Sequence, residues 1–137
     1  NDYAEIYDPI EPAPALPSGN VSLQFKPRKL STPFPVTGSL VVNLDGDTKP
    51  DLLVWGTGGA ALYLGGVTGA PVPKGYSYAV GDTNNDGIPE LLVVDKEGAS
   101  LQDKGKLTPL AQGSFTKALF VDTDHDYDLD ILLLGPK

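Results

Sequence analysis

Apolar runs of four residues recur along the chain, each bounded by Gly, Pro, Asp or Asn within a few positions. The clearest are Leu52-Leu53-Val54-Trp55, Leu91-Leu92-Val93-Val94 and Ile131-Leu132-Leu133-Leu134. Runs this short, fenced by turn residues, predict strands, and helical periodicity is nowhere sustained. The pattern predicts strands over 36–42, 51–56, 59–64 and 70–73, then over 77–81, 90–95, 98–102 and 106–110. Two more are predicted over 116–121 and 130–134. Gly59-Ala60-Ala61-Leu62 matches Gly98-Ala99-Ser100-Leu101 at an offset of 39 residues, which sets the two groups of four strands in one register. Trp55 ends an apolar run and is expected between sheets, packing rather than stacking on a ligand.

Earlier in the chain, Ser22-Leu23-Gln24-Phe25-Lys26 matches Ser100-Leu101-Gln102-Asp103-Lys104 at an offset of 78. Lys29-Leu30-Ser31-Thr32-Pro33-Phe34 matches Lys106-Leu107-Thr108-Pro109-Leu110 with a one-residue slip. Residues 21–34 are therefore expected to be two strands, with Lys26, Arg28 and Lys29 as a solvated turn between them. Residues 1–20 hold Asp2, Glu5, Asp8 and Glu11 among Pro9, Pro12, Pro14 and Pro17, with no basic residue. That composition predicts an extended acidic linker, mobile unless Tyr3, Ile6 and Tyr7 dock on a neighbour. Asn20-Val21-Ser22 is a glycosylation sequon, meaningful only in a eukaryotic secretory protein.

Between the strands lies the candidate chemistry. Asp122-Thr123-Asp124-His125-Asp126-Tyr127-Asp128-Leu129-Asp130 puts five aspartates at alternate positions of nine. At ~4 Å and an effective dielectric of ~20, each like-charged pair costs about 4 kcal/mol. A cation among them removes that repulsion, and oxygen ligands at alternate loop positions are how proteins hold calcium. The loop recurs as Asn43-Leu44-Asp45-Gly46-Asp47-Thr48-Lys49-Pro50-Asp51 and as Asp82-Thr83-Asn84-Asn85-Asp86-Gly87-Ile88-Pro89-Glu90, with starts 39 and 40 residues apart. Positions 1, 3, 5 and 9 are Asp, Asn or Glu in all three loops. The simpler reading is that Asp, Asn and Gly are good hairpin residues, but ordinary turns do not place five carboxylates at alternate positions. Magnesium suits such loops less, because it holds a tighter octahedron and keeps its waters.

Over roughly residues 36–137 these loops and their flanking strands resemble the FG-GAP/VCBS repeats of integrin-alpha-type β-propellers. The resemblance implies blades of four antiparallel strands, with a calcium-binding loop joining the first two strands of each blade. It implies side-chain ligands at positions 1, 3, 5 and 9 and a backbone carbonyl at position 7. Carried over, the ligands are Asn43, Asp45, Asp47, Lys49 (carbonyl) and Asp51; Asp82, Asn84, Asp86, Ile88 (carbonyl) and Glu90; and Asp122, Asp124, Asp126, Asp128 (carbonyl) and Asp130, for up to three calcium ions. His125, at position 4, is expected to point away from the ion. The family prefers Gly at position 6, where this chain has Gly87 in one loop but Thr48 and Tyr127 in the others; a positive φ would strain those two. The Gly-Ala-Pro signature is absent after the second strand, which favours the VCBS-like branch.

The expected architecture is all-β: a linker over 1–20, an outer half-blade over 21–34, blades over 36–75 and 76–114, and an inner half-blade over 115–137. About three blades are too few to close a ring, so the halves are expected to meet between chains or to pair with the remainder of a longer chain. The absence of any Met is read as a sign that the chain is processed or cut from something longer. The net charge of −8 argues against a nucleic-acid partner, and three divalent ions would bring it to −2. With no Cys and a single His, the chain offers no disulfide, thiol nucleophile or catalytic constellation. No apolar run approaches the ~20 residues of a membrane span. The expected function is a calcium-stabilised module outside the cytosol (extracellular, cell-surface or periplasmic) that presents or binds protein or carbohydrate. The alternative is a non-catalytic portion of a secreted hydrolase or lyase acting on polysaccharide.

Overall fold

The computed structural model describes residues 3–9, 25–65, 67–68 and 71–136. Among them there is no helix, so none is long and apolar enough to cross a membrane. Every strand pairing among them is antiparallel. Strands β1 (Tyr3–Pro9) and β2 (Phe25–Ser31) form a two-stranded sheet. A four-stranded sheet runs in chain order through β3 (Val36–Val42), β4 (Asp51–Gly56), β5 (Gly59–Leu64) and β6 (Val67–Thr68). A second four-stranded sheet repeats this with β7 (Ser77–Gly81), β8 (Glu90–Val94), β9 (Gly98–Asp103) and β10 (Lys106–Gln112). Strands β11 (Lys117–Val121) and β12 (Asp130–Leu134) form a last pair. The expected all-β class and most of the expected strand bounds are therefore observed.

The apolar runs of β4 and β8 are buried on both faces, whereas that of β12 is largely exposed. Leu53 of β4 and Leu91 and Val93 of β8 meet between the two four-stranded sheets. Val54 of β4 faces the other way and packs with Leu30, Phe34 and Tyr63 against β2. Leu92 and Val94 of β8 pack with Ala99, Ala118 and Leu133 toward β11–β12. The four sheets thus stand in a row, each joined to the next by one apolar cluster. Trp55 lies where expected, its ring centroid 5.0 Å from that of Tyr78 across the sheet boundary. Gly38 makes room for it: a Cβ there would sit 2.4 Å from the indole.

Three expectations are corrected. Residues 25–31 are one strand, so Lys26, Arg28 and Lys29 lie within β2 and not in a turn. Residues 3–9 of the expected linker are strand β1, laddered antiparallel to β2 from Tyr3 opposite Ser31 to Pro9 opposite Phe25. The strand expected over 70–73 is not formed at 71–73, because Pro71 and Pro73 carry no N–H for a ladder. Its place is taken by β6, shortly after Gly65 turns the chain at φ 53°. The rest of the linker (10–20), the sequon, residues 21–24 and residue 70 lie outside the described residues.

Candidate metal centre

Each acidic loop is held at the same place in its sheet. The residue before position 1 faces position 9 across the ladder: Val42 opposite Asp51, Gly81 opposite Glu90, Val121 opposite Asp130. The loop is therefore the connection of an antiparallel pair, and its ends are fixed by strand pairing.

Within that frame the polar side chains turn inward onto the backbone. Position 9 accepts the N–H of position 2: Leu44 to Asp51 Oδ2 at 3.0 Å, Thr83 to Glu90 Oε2 at 2.7 Å, and Thr123 to Asp130 Oδ2 at 3.0 Å. Position 3 accepts the N–H of position 5, from Asp47 to Asp45, Asp86 to Asn84 and Asp126 to Asp124, at 3.0, 3.0 and 3.3 Å. Position 5 accepts the N–H of position 7, from Lys49 to Asp47, Ile88 to Asp86 and Asp128 to Asp126, at 2.6, 2.9 and 2.9 Å. Position 1 accepts from the far side of the turn: Asn43 from Gly46, Asp82 from Asp86 and Gly87, and Asp122 from His125 and Tyr127. One nine-residue geometry is built three times from different residues.

The turn demands a left-handed residue at position 4 in every loop: Gly46, Asn85 and His125 have φ of 74°, 57° and 64°. Position 6 is left-handed at Gly87 and Tyr127, 84° and 74°, but not at Thr48. His125 is exposed and gives its backbone N–H, not its ring, to the loop.

The loops differ in how far their carboxylates converge. Oxygens of Asp82, Asp86 and Glu90 lie within 4.8 Å of one another, and so do those of Asp122, Asp124 and Asp126. The first loop's Asp45, Asp47 and Asp51 form no such group, and Asn43 supplies an amide where the others have a carboxylate. Asp51 instead points into the fold, 1 % exposed, and also accepts the N–H of Gly65 at 3.1 Å. Asn84 joins the second loop by donating to Glu90 Oε1 at 3.0 Å. The side chain of Asp128 turns to loop two, accepting from Asn85 Nδ2 at 3.3 Å.

Three side chains of the centre lie outside the expected ligand positions. Lys104, in the β9–β10 turn, sits 2.5 Å from Asp86 Oδ2. That ammonium and the Ile88 N–H hold the Asp86 carboxyl below its ordinary range, and Asp86 raises the Lys104 pKa in return. Thr83 and Thr123 give their hydroxyls to Glu90 and Asp130, which lowers the pKa of Asp130. Threonine at position 2 of two loops is the available clue; Lys104, 18 residues from Asp86, has none. No family model matches the chain, and no curated protein or solved structure matches it.

Proposed function

We propose that this chain is a calcium-binding repeat module of the FG-GAP/VCBS kind, a set of propeller blades that presents or binds protein or carbohydrate outside the cytosol. The observation that carries the reading is the convergence of three carboxylates in loop two and three in loop three, on a backbone frame shared by all three loops. The donor set is hard oxygen throughout, which fits calcium. Asp82, Asn84, Asp86 and Glu90 would hold one ion, with Asp122, Asp124, Asp126 and Asp130 a second, and the carbonyls of Ile88 and Asp128 would complete them. Asn43, Asp45, Asp47, Asp51 and the Lys49 carbonyl would form a third and weaker site, because fewer charges converge there. Bound calcium would offset the repulsion among the carboxylates and tie the two strands of each pair together.

Thermal melting with calcium and with EGTA tests this. Extracellular modules bind with Kd of ~10⁻⁴–10⁻³ M. At ~1 mM free calcium each site then adds roughly 0.4–1.4 kcal/mol. The melting temperature should fall by several degrees in EGTA and recover with calcium more than with magnesium. Superimposable melts contradict the proposal.

A further inference from the structure

Lys104 reaches loop two from a turn elsewhere in the same sheet. Asp103 pairs with Lys106, so Lys104 and Gly105 form the two-residue turn between β9 and β10. Both are left-handed, at φ 45° and 83°, the turn geometry that suits the twist of a hairpin. The equivalent turn of the preceding sheet follows Leu64, and there Gly65 stands at φ 53°. Glycine takes such a bend at least cost. In the second sheet a lysine takes it instead, and its side chain ends on Asp86.

The Lys104 ammonium lies 2.5 Å from Asp86 Oδ2, on the carboxylate that converges with those of Asp82 and Glu90. Asp86 Oδ1 accepts the Ile88 N–H at 2.9 Å, so both oxygens of this carboxylate are engaged. In loop three the corresponding Asp126 accepts the Asp128 N–H in the same way. Among the described residues, however, no basic side chain pairs with Asp122, Asp124 or Asp126. Loop two therefore has a cation of its own among the described residues, and loop three has none.

We propose that Lys104 is a tethered counter-ion of loop two: it steadies the loop in the calcium-free chain, and calcium enters loop two only by displacing it. The proposal rests on the calcium reading above and adds to it the residue that sets the affinity of one loop. An ammonium and a divalent ion on one carboxylate repel each other, so the two do not share Asp86. Displacing the lysine subtracts the strength of the existing pair from the binding of the ion. Both side chains of the pair are partly exposed, and an exposed pair of this kind weakens binding by roughly two- to five-fold in Kd. The same exposure lets Lys104 swing into solvent without disturbing the buried clusters. Loop three binds without that competition, and its carboxylates have no internal cation to steady them when calcium is withdrawn.

Calcium titration followed by NMR at the Gly87 and Tyr127 amides, in the unaltered chain and in Lys104→Gln, tests the proposal. The variant should bind calcium at loop two roughly two- to five-fold more tightly, with loop three unchanged. In EGTA it should lose hydrogen-exchange protection at the Ile88 amide, which donates to Asp86, by at least about two-fold, with the Asp128 amide unmoved. Lys104→Arg, which keeps the charge, should keep that protection. If Lys104→Gln does not fold, Lys104→Gly, matching the equivalent turn, takes its place. Unchanged or weaker calcium binding at loop two overturns the proposal, because Lys104 would then ignore the ion or assist it. An equal gain at both loops overturns it as well, since that is the effect of net charge alone. If neither loop binds calcium, the calcium reading fails; the tether is then decided in EGTA, standing if Ile88 loses protection and falling if it does not.

Discussion

Position 4 of the acidic loops shows what a single residue contributes. Gly, Asn and His all stand there with positive φ, so the backbone of the nonapeptide, not the side chain, is what the three loops share. Asn and Gly tolerate that conformation and announce it in the sequence. His125 and Tyr127 do not, and the left-handed bends of loop three are legible only by comparison with the other two. Position 5 carries the chemistry, because its carboxylate both closes the turn and, in loops two and three, joins the converging group. Asp126→Ala should therefore remove one calcium equivalent in a calorimetric titration while leaving the other loops unaffected; unchanged stoichiometry would exclude loop three as a site. Tyr78 offers a test independent of metal. Burial pushes its phenol up from 10.0 to about 12, and its hydroxyl donates to the carbonyl of Pro73 at 2.7 Å. The folded state thus holds this proton longer than the unfolded chain does. Its contribution to stability is complete below pH ~10 and is lost as the pH rises toward the folded value. An ultraviolet titration should show a late tyrosine step near pH 12, and Tyr78→Phe should remove it. A titration with no such late step, unchanged in Tyr78→Phe, would contradict the buried placement.

At the scale of elements, the strand after each loop organises its sheet. Leu92 is fully buried between sheets, and Leu92→Ala should cost about 2–5 kcal/mol in denaturant unfolding. A cost under about 1 kcal/mol would mean that the β8 strand is not packed on both faces. Strands β3, β4, β5 and β7 match their expected bounds because apolar runs and turn residues agree there. Elsewhere the sequence misleads for identifiable reasons. The Lys26–Lys29 segment resembles a turn by composition, but its ladder with β1 makes it a strand, and pairing between distant segments is invisible to a local pattern. Period alone places the fourth strand at 70–73, against two prolines that bar it. The candidate ligands are legible because spacing encodes them. Lys104 is not, because a turn from another part of the sheet delivers it to Asp86.

For the whole molecule, the row of sheets joins three copies of one loop through direct contacts. Ile88 of loop two lies against Gly46 of loop one, where a Cβ would meet its Cγ1 at 3.3 Å, and Asn85 of loop two bonds Asp128 of loop three. Much of the net charge of −8 sits in these loops, so cations held there would relieve repulsion along the row as well as within each loop. The central claim is that the loops bind calcium, and a calorimetric titration of the calcium-free chain tests it most directly. Two equivalents are expected from loops two and three, with a third and weaker one from loop one. Absence of any binding heat up to several-fold above ~1 mM calcium, with no change in stability over the same range, would contradict it.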